Sequence, residues 1–167
     1  MCREDIEKAV QRLAGEIYRD YRDKNPLVIG ILAGSFIFLA DLVRKLDFPL
    51  EIDFTRLCSY GSGTESSGDV KMLLEPLNPV QGRDILVVED IADTGYSLSF
   101  LMDYLEKKGP KSLKLCVLAD KPSRRKVPLT IDYAGFTVPD EFLVGYGLDC
   151  DEQYRNIPEI CILDETA

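Results

Sequence analysis

Apolar positions recur along the chain with two different periods, and the change from one to the other predicts its elements. Within residues 4–22, Ile6, Val10, Leu13 and Ile17 fall on one stripe of an α-helix. Asn25-Pro26 breaks that pattern. Leu27-Val28-Ile29-Gly30-Ile31-Leu32 is then an unbroken apolar run, suited to a parallel strand covered on both faces. After a short Ala33-Gly34-Ser35 turn, residues 36–46 return to helical spacing with Leu39, Leu42, Val43 and Leu46 inward. Residues 51–58 carry Ile52, Phe54 and Leu57 in or near alternation, which predicts a strand. Residues 59–69 are polar and glycine-rich, a mobile loop by composition, and 70–74 suit a returning strand.

The clearest unit follows. Asp84-Ile85-Leu86-Val87-Val88 reads as a buried strand that leads into Glu89-Asp90-Ile91-Ala92-Asp93-Thr94-Gly95. A helix over 97–107 places Leu98, Leu101, Met102 and Leu105 at helical spacing, and Gly109-Pro110 stops it before a strand over 113–119. That is a βαβ unit, so part of the sheet is parallel with a right-handed crossover. Short strands near 131–136, 141–145 and 159–163 complete the pattern. The expected fold is α/β: a central parallel sheet flanked by helices, with residues 1–167 forming one domain. There is no internal repeat, low-complexity tract or linker.

Composition narrows the chemistry. The chain has 167 residues, 46% hydrophobic and 29% charged, a globular profile sized for one domain with one core. No apolar run approaches the roughly 20 residues of a membrane span, so no membrane role is expected. Met1-Cys2-Arg3-Glu4-Asp5 turns acidic at once, and export is not expected. The cysteines are Cys2, Cys58, Cys116, Cys150 and Cys161, with no Cys-x-x-Cys spacing, which suits reduced thiols in a cytoplasmic protein. Twenty Lys and Arg stand against 29 Asp and Glu, a net charge of −9, which argues against a nucleic-acid surface. The absence of histidine excludes Ser-His-Asp and Cys-His catalysis and the usual zinc sites. Acid-base work falls to carboxylates, Lys, Tyr or Cys.

In open parallel sheets, ligands bind beyond the carboxyl ends of strands. The pattern places Glu89, Asp90, Asp93, Thr94, Gly95 and Ser97 there. Thr94, Gly95 and Ser97 offer small side chains and free N–H groups at a helix N-terminus, where a phosphate is stabilised. Phosphate alone needs no carboxylates beside it. Glu89 and Asp90 suit vicinal sugar hydroxyls, which leaves Asp93 free to act as a base. The competing reading is a helix capped by Asp93 or Thr94 on an acidic surface turn.

Ile85-Leu86-Val87-Val88-Glu89-Asp90-Ile91-Ala92-Asp93-Thr94-Gly95 resembles the phosphoribosyl pyrophosphate signature of type I phosphoribosyltransferases. Lys121-Pro122-Ser123-Arg124-Arg125 and the run from Gly135-Phe136 through Phe142-Leu143-Val144-Gly145 to Asp149 resemble the purine-binding half of the hypoxanthine-guanine branch. Gly34-Ser35-Phe36 and Ser59-Tyr60-Gly61 resemble its pyrophosphate turn and its closing loop. The resemblance covers residues 4–163.

This resemblance implies transfer of a phosphoribosyl group to hypoxanthine or guanine, with salvage of free purines as the cellular role. It implies Asp93 as the general base at purine N7 and Lys121 as the donor to the exocyclic oxygen at C6. Phe142 would stack on the ring and the Leu143 backbone would meet its edge. Asp149, with Glu89 and Asp90, would hold magnesium. Arg155, Gly34 and Ser35 would contact pyrophosphate, and Ser59 and Tyr60 would close over the site. Without the resemblance, Lys121 reads as a solvated surface lysine, Phe142 as core, Asp149 as a turn residue and Arg155 as a surface ion pair.

The family often carries a lysine where this chain has Ala33, and its structures place a non-proline cis peptide at that turn. It also implies a small hood built from the terminal segments, and a homo-oligomer, dimer or tetramer. A xanthine-preferring enzyme of the same fold and a regulator that binds phosphoribosyl pyrophosphate without turnover are the alternatives.

Overall fold

The computed structural model describes residues 1–59 and 70–163. The elements run α1 (Arg3–Tyr21), β1 (Leu27–Leu32), α2 (Phe36–Val43), β2 (Glu51–Ser59), β3 (Val70–Leu74), β4 (Asp84–Ala92), α3 (Tyr96–Glu106) and β5 (Ser112–Asp120). A single 3-10 turn, η1 (Pro122–Arg124), then precedes β6 (Tyr133–Thr137), β7 (Leu143–Val144) and β8 (Cys161–Ile162).

Six strands form one sheet in the order β3-β2-β1-β4-β5-β6, and β7 and β8 form a second. Within the large sheet β1 pairs in parallel with β2 and β4, and β5 with β4 and β6. Only β3 runs antiparallel, against β2. The fold is therefore the expected α/β arrangement.

Period-two alternation in the central strands sorts their side chains into two cores. Val28, Leu86, Val88, Cys116 and Leu118 face α1 and α2, where they meet Ile6, Val10, Leu13, Ile17, Leu39 and Leu42. Leu27, Ile29, Ile85, Val87, Leu115 and Val117 face the other way, onto Leu98, Leu101 and Leu105 of α3. Each fully buried side chain of this kind contributes about 1.5–3 kcal/mol relative to an exposed one. The unbroken apolar runs are thus strands covered by helix on both faces. Tyr21, fully buried, donates its hydroxyl to the Ile85 carbonyl at 3.1 Å, so its polar end is satisfied.

Two boundaries differ from the sequence expectation by more than two residues. Helix α2 ends at Val43 rather than at 46; beyond it the chain tightens into Lys45 N–H to Leu42 O and Leu46 N–H to Val43 O bonds, which still bury Leu46. Strand β4 continues to Ala92 because β5 pairs with it that far, Glu89 opposite Val117 and Ile91 opposite Ala119. Glu89 and Asp90 therefore project from the last part of a strand, not from the loop after it.

Candidate active site

The sheet order decides where the site lies. From β1 the chain winds outward to β2 on one side, while β4, β5 and β6 extend on the other, so connections diverge between β1 and β4. A crevice opens at such a point beyond the carboxyl ends of the strands. The turn after β1 and the acidic end of β4 meet there. A Cβ added to Gly34 would lie 1.9 Å from Asp90 Oδ2, so only glycine lets the turn pass over this carboxylate. The Leu32–Ala33 peptide bond is cis. Ser35 is fully buried, and its hydroxyl donates to the Ile31 carbonyl at 2.6 Å. That hydroxyl shapes the turn, whereas the Ser35 N–H reaches the same carbonyl only at 3.4 Å.

The two acids of β4 are unlike each other. Asp90 is buried, and its Oδ1 accepts from the Ile91 N–H at 2.7 Å. Burial pushes its pKa up to about 6; the Ile91 N–H and the Arg155 charge pull the other way, and Asp149 adds to the rise. Glu89 is half-buried, but its Oε2 is shut off from solvent without a hydrogen-bond partner. Burial first, and the Asp90 charge second, hold its pKa well above the usual carboxylate range. A buried acceptor left without a donor is expensive unless a ligand supplies one.

Beyond β4, Asp93, Thr94, Gly95 and Ser97 line a cavity of about 130 Å³ that also takes in Glu89. Gly95 caps α3 at φ 90, a left-handed conformation. Its Cα lies against Arg125, since an added Cβ would sit 2.8 Å from Arg125 Cδ. Arg125 staples the turn from below. Its guanidinium donates to the carbonyls of Asp93 (2.9 Å) and Ala92 (3.1 Å) and to Asp120 Oδ1 (2.5 Å). The Lys126 N–H adds a bond to the Thr94 carbonyl at 2.9 Å. In the sequence Arg124 and Arg125 fall within the run that resembles the purine-binding half, which gives neither of them this bracing role. Its one sequence signal is the position just after a proline-started turn, which folds the chain back towards β4.

Asp93 is half-exposed overall, yet its Oδ1 is shielded and accepts no hydrogen bond. The Arg124 Nε stands 3.3 Å away, an ion pair outside hydrogen-bond geometry.

The register Ala92 opposite Asp120 sets Asp93 and Lys121 side by side at the ends of β4 and β5, and the Lys121 N–H donates to the Ala92 carbonyl at 3.0 Å. Lys121 is buried, not the solvated lysine that composition alone allowed. Its Nζ donates to the Glu141 carbonyl at 2.8 Å. The next residue, Phe142, is 44% exposed, which overturns its reading as core. Leu143 is buried in β7 and pairs with Ile162.

Strands β7 and β8 belong to the small lobe, which the N-terminus helps to hold. The Met1 ammonium donates to the Ile160 carbonyl at 2.7 Å, and Arg3 pairs with Glu159. The turn between Val144 and Cys161 folds back on the crevice. A Cβ on Gly147 would lie 2.0 Å from the Gly34 carbonyl oxygen. Asp149 and Arg155 pair at 2.9 Å, and Arg155 also donates to the Gly147 carbonyl at 2.8 Å and pairs with Glu152. Arg155 is therefore a partly buried brace rather than a loose surface charge.

Most of the expected site residues are thus brought together. Ser59 ends β2, paired with Val70, and Tyr60 lies outside the described residues. Among the described residues no three acidic or thiol side chains gather as a ready-made metal site. A cavity of about 540 Å³ between α1, α2 and the small lobe contains none of the expected site residues.

Residues 3–151 match the model of the phosphoribosyl transferase domain. The chain is 48% identical over 160 residues to the hypoxanthine-guanine phosphoribosyltransferase of Bacillus subtilis, covering 96% of this chain and 89% of that one. It is 47% identical to the bifunctional protein TilS/HprT of Listeria monocytogenes, but spans only 25% of that relative's length. A crystal structure of a hypoxanthine-guanine phosphoribosyltransferase from Bacillus anthracis superposes with a TM-score of 0.93 at 46% identity, covering 98% of this chain and 96% of that one.

Proposed function

The chain belongs to the phosphoribosyl transferase family, and from that premise we propose that it transfers the 5-phosphoribosyl group of phosphoribosyl pyrophosphate to hypoxanthine or guanine. The products are the nucleoside 5′-monophosphate and pyrophosphate, the chemistry of purine salvage. The observation that supports this reading is the Ala92–Asp120 register, after which Asp93 and the buried Lys121 follow on neighbouring strands. A 6-oxopurine needs both, one to take a proton and one to meet an oxygen.

In the reaction, N9 of the purine forms a bond to the anomeric carbon. The bond from that carbon to pyrophosphate breaks, its electron pair leaves with pyrophosphate, and the N7 proton passes to Asp93. Lys121 gives up the Glu141 carbonyl for the oxo group at C6. Adenine presents an amino donor at that position, so a buried donor is left without an acceptor and adenine is rejected. The exposed ring of Phe142 stacks on the purine, and the Leu143 backbone meets its edge. Thr94, Gly95 and Ser97 hold the 5′-phosphate in their cavity. Glu89 and Asp90 accept from the ribose hydroxyls, which relieves the orphaned Glu89 Oε2.

The backbone of Gly34 and Ser35, together with Arg155, holds the pyrophosphate, and Ser59 and Tyr60 close over it to exclude water. The donor set fits magnesium. That ion needs only one or two protein carboxylates when it arrives with a polyphosphate, and Glu89, Asp90 and Asp149 offer them around the crevice. When bound it neutralises charge on the leaving pyrophosphate. The small lobe of β7 and β8 serves as the purine hood of a single domain spanning 1–167. The acting form belongs to this proposal as a homo-oligomer, dimer or tetramer, in the cytoplasm. Its cysteines form no disulfide and no described helix is long and apolar enough to cross a membrane.

Incubation with phosphoribosyl pyrophosphate, hypoxanthine and magnesium is expected to yield inosine 5′-monophosphate, and a chelator to stop it. Binding of phosphoribosyl pyrophosphate with no nucleotide formed would instead make the chain a regulator.

A further inference from the structure

Lys121, just before η1, and Arg124, its last residue, bring two cations to the site, and only Lys121 has a part in the chemistry above. Arg124, three residues on, reaches two acids. Its Nε lies 3.3 Å from Asp93 Oδ1 and its Nη1 3.7 Å from Asp140 Oδ1. The first acid begins the turn after β4. The second lies two residues before Phe142, in the segment whose Glu141 carbonyl receives Lys121. Both side chains of the Asp93 pair are about one-third exposed, so bulk attraction alone is weak. The orphaned, shielded Asp93 Oδ1 changes that balance. An acceptor cut off from water and from hydrogen-bond donors is held by whatever charge stands next to it.

We propose that Arg124 is a positioning residue for the proton transfer: it holds Asp93 through Oδ1, leaving Oδ2 to accept from the purine, and ties that carboxylate to the purine-stacking segment through Asp140. The two carboxylate oxygens then have separate duties, and a purine seated on Phe142 meets a base already aimed. A guanidinium suits this because its planar fork presents Nε and Nη1 in different directions, whereas an ammonium is a single point charge. Arg125, next in sequence, is not equivalent. It bonds the Asp93 carbonyl and braces the backbone, and does not touch the carboxylate.

This role rests on the proposed function, and the experiment separates the two. Single-turnover nucleotide formation and steady-state constants are measured for the wild-type chain, Arg124→Gln, Arg124→Lys, Asp93→Asn and the Arg124→Gln/Asp93→Asn double variant, with thermal melting to check folding. Arg124→Gln is expected to slow the chemical step roughly tenfold to a hundredfold, the scale of a misaimed catalytic group, and to leave the KM for phosphoribosyl pyrophosphate within about twofold. Added to Asp93→Asn, it is expected to slow the reaction by no more than about twofold further, because a residue acting through Asp93 has nothing left to act on. Arg124→Lys restores a charge at Asp93 but not the span to Asp140, so it recovers kcat more fully than the KM for hypoxanthine. A double variant slowed by the full factor seen in the wild-type background overturns the role, as does a loss confined to the KM for phosphoribosyl pyrophosphate. A wild-type chain that forms no nucleotide overturns the proposed function, and this role with it.

Discussion

Gly147→Ala tests the contact by which the small lobe sits on the pyrophosphate turn. Gly147 has φ 103, a conformation that side-chain-bearing residues rarely adopt, and an added Cβ would stand 2.0 Å from the Gly34 carbonyl oxygen. Real Cβ atoms keep at least 3.0 Å from their neighbours, so about 1 Å must be found by moving backbone against backbone. The left-handed conformation alone costs about 1–3 kcal/mol for a non-glycine residue. The displacement falls on Gly34 and on Arg155, whose carbonyl accepts from the Gly147 N–H at 3.0 Å and whose Nη1 donates to the Gly147 carbonyl at 2.8 Å. A shift of about 1 Å at a reacting centre can lower the rate roughly a hundredfold.

The control is Gly82→Ala: φ 71 carries comparable backbone strain, but nothing lies within 4 Å of the new Cβ. Urea unfolding and kcat/KM for phosphoribosyl pyrophosphate are measured on both. Both variants are expected to lose stability, and Gly147→Ala alone to lose activity, by about a hundredfold. Equal activity in the two would refute the reasoning, because the lobe would then not set the pyrophosphate turn.

Three further outcomes are expected. Lys121→Met removes a buried donor that meets either the Glu141 carbonyl or the oxo group; kcat/KM for hypoxanthine should fall by about 1.5–3 kcal/mol of binding, and discrimination against adenine should narrow, as competition assays with both bases would read. Arg125→Leu strips three hydrogen bonds from the turn and leaves Asp120 without its cation; urea unfolding should show a loss of about 1–3 kcal/mol, with a raised KM for phosphoribosyl pyrophosphate, and unchanged values would remove Arg125 as the brace. The third concerns acid stability. Lys114 at 2.6 Å and the Tyr133 hydroxyl at 2.5 Å hold the Asp20 pKa below the ordinary value. A depressed folded-state pKa stabilises the protein above the unfolded value of about 3.9 and loses that contribution as pH falls through the folded value. The melting difference between wild type and Asp20→Asn should therefore be largest near neutrality and close below about pH 4.

The central sheet was legible because its strands are covered on both faces. Runs such as 27–32 and 84–88 carry no polar residue after their first position, and length and flanking turns distinguish them from helix. The acidic end of β4 was misread because its polar residues resemble a loop, whereas pairing with β5 keeps them in the strand as far as Ala92. Asp93, Thr94 and Gly95 were found from motif spacing. The brace from Arg125 and the two-acid reach of Arg124 were not, because they follow from how β5 and η1 fold back beside β4. The same holds for Gly147 against Gly34, separated by most of the chain and brought together only by the packing of the small lobe on the turn after β1. Hydrophobicity alone reads Phe142 as core, whereas the resemblance made it the stacking ring; its exposure follows from the polar Asp140-Glu141 segment that carries it out of the core.

The most direct test of the account is pyrophosphate release from phosphoribosyl pyrophosphate with magnesium. Hypoxanthine, guanine, xanthine and adenine are offered in parallel to the wild-type chain and to Asp93→Asn. Turnover with hypoxanthine and guanine is expected, little with adenine, and a loss of about 10²–10⁴-fold in the variant, the range for a positioned general base. Turnover with xanthine alone would contradict the base assignment, and an Asp93→Asn enzyme as fast as wild type would contradict the mechanism.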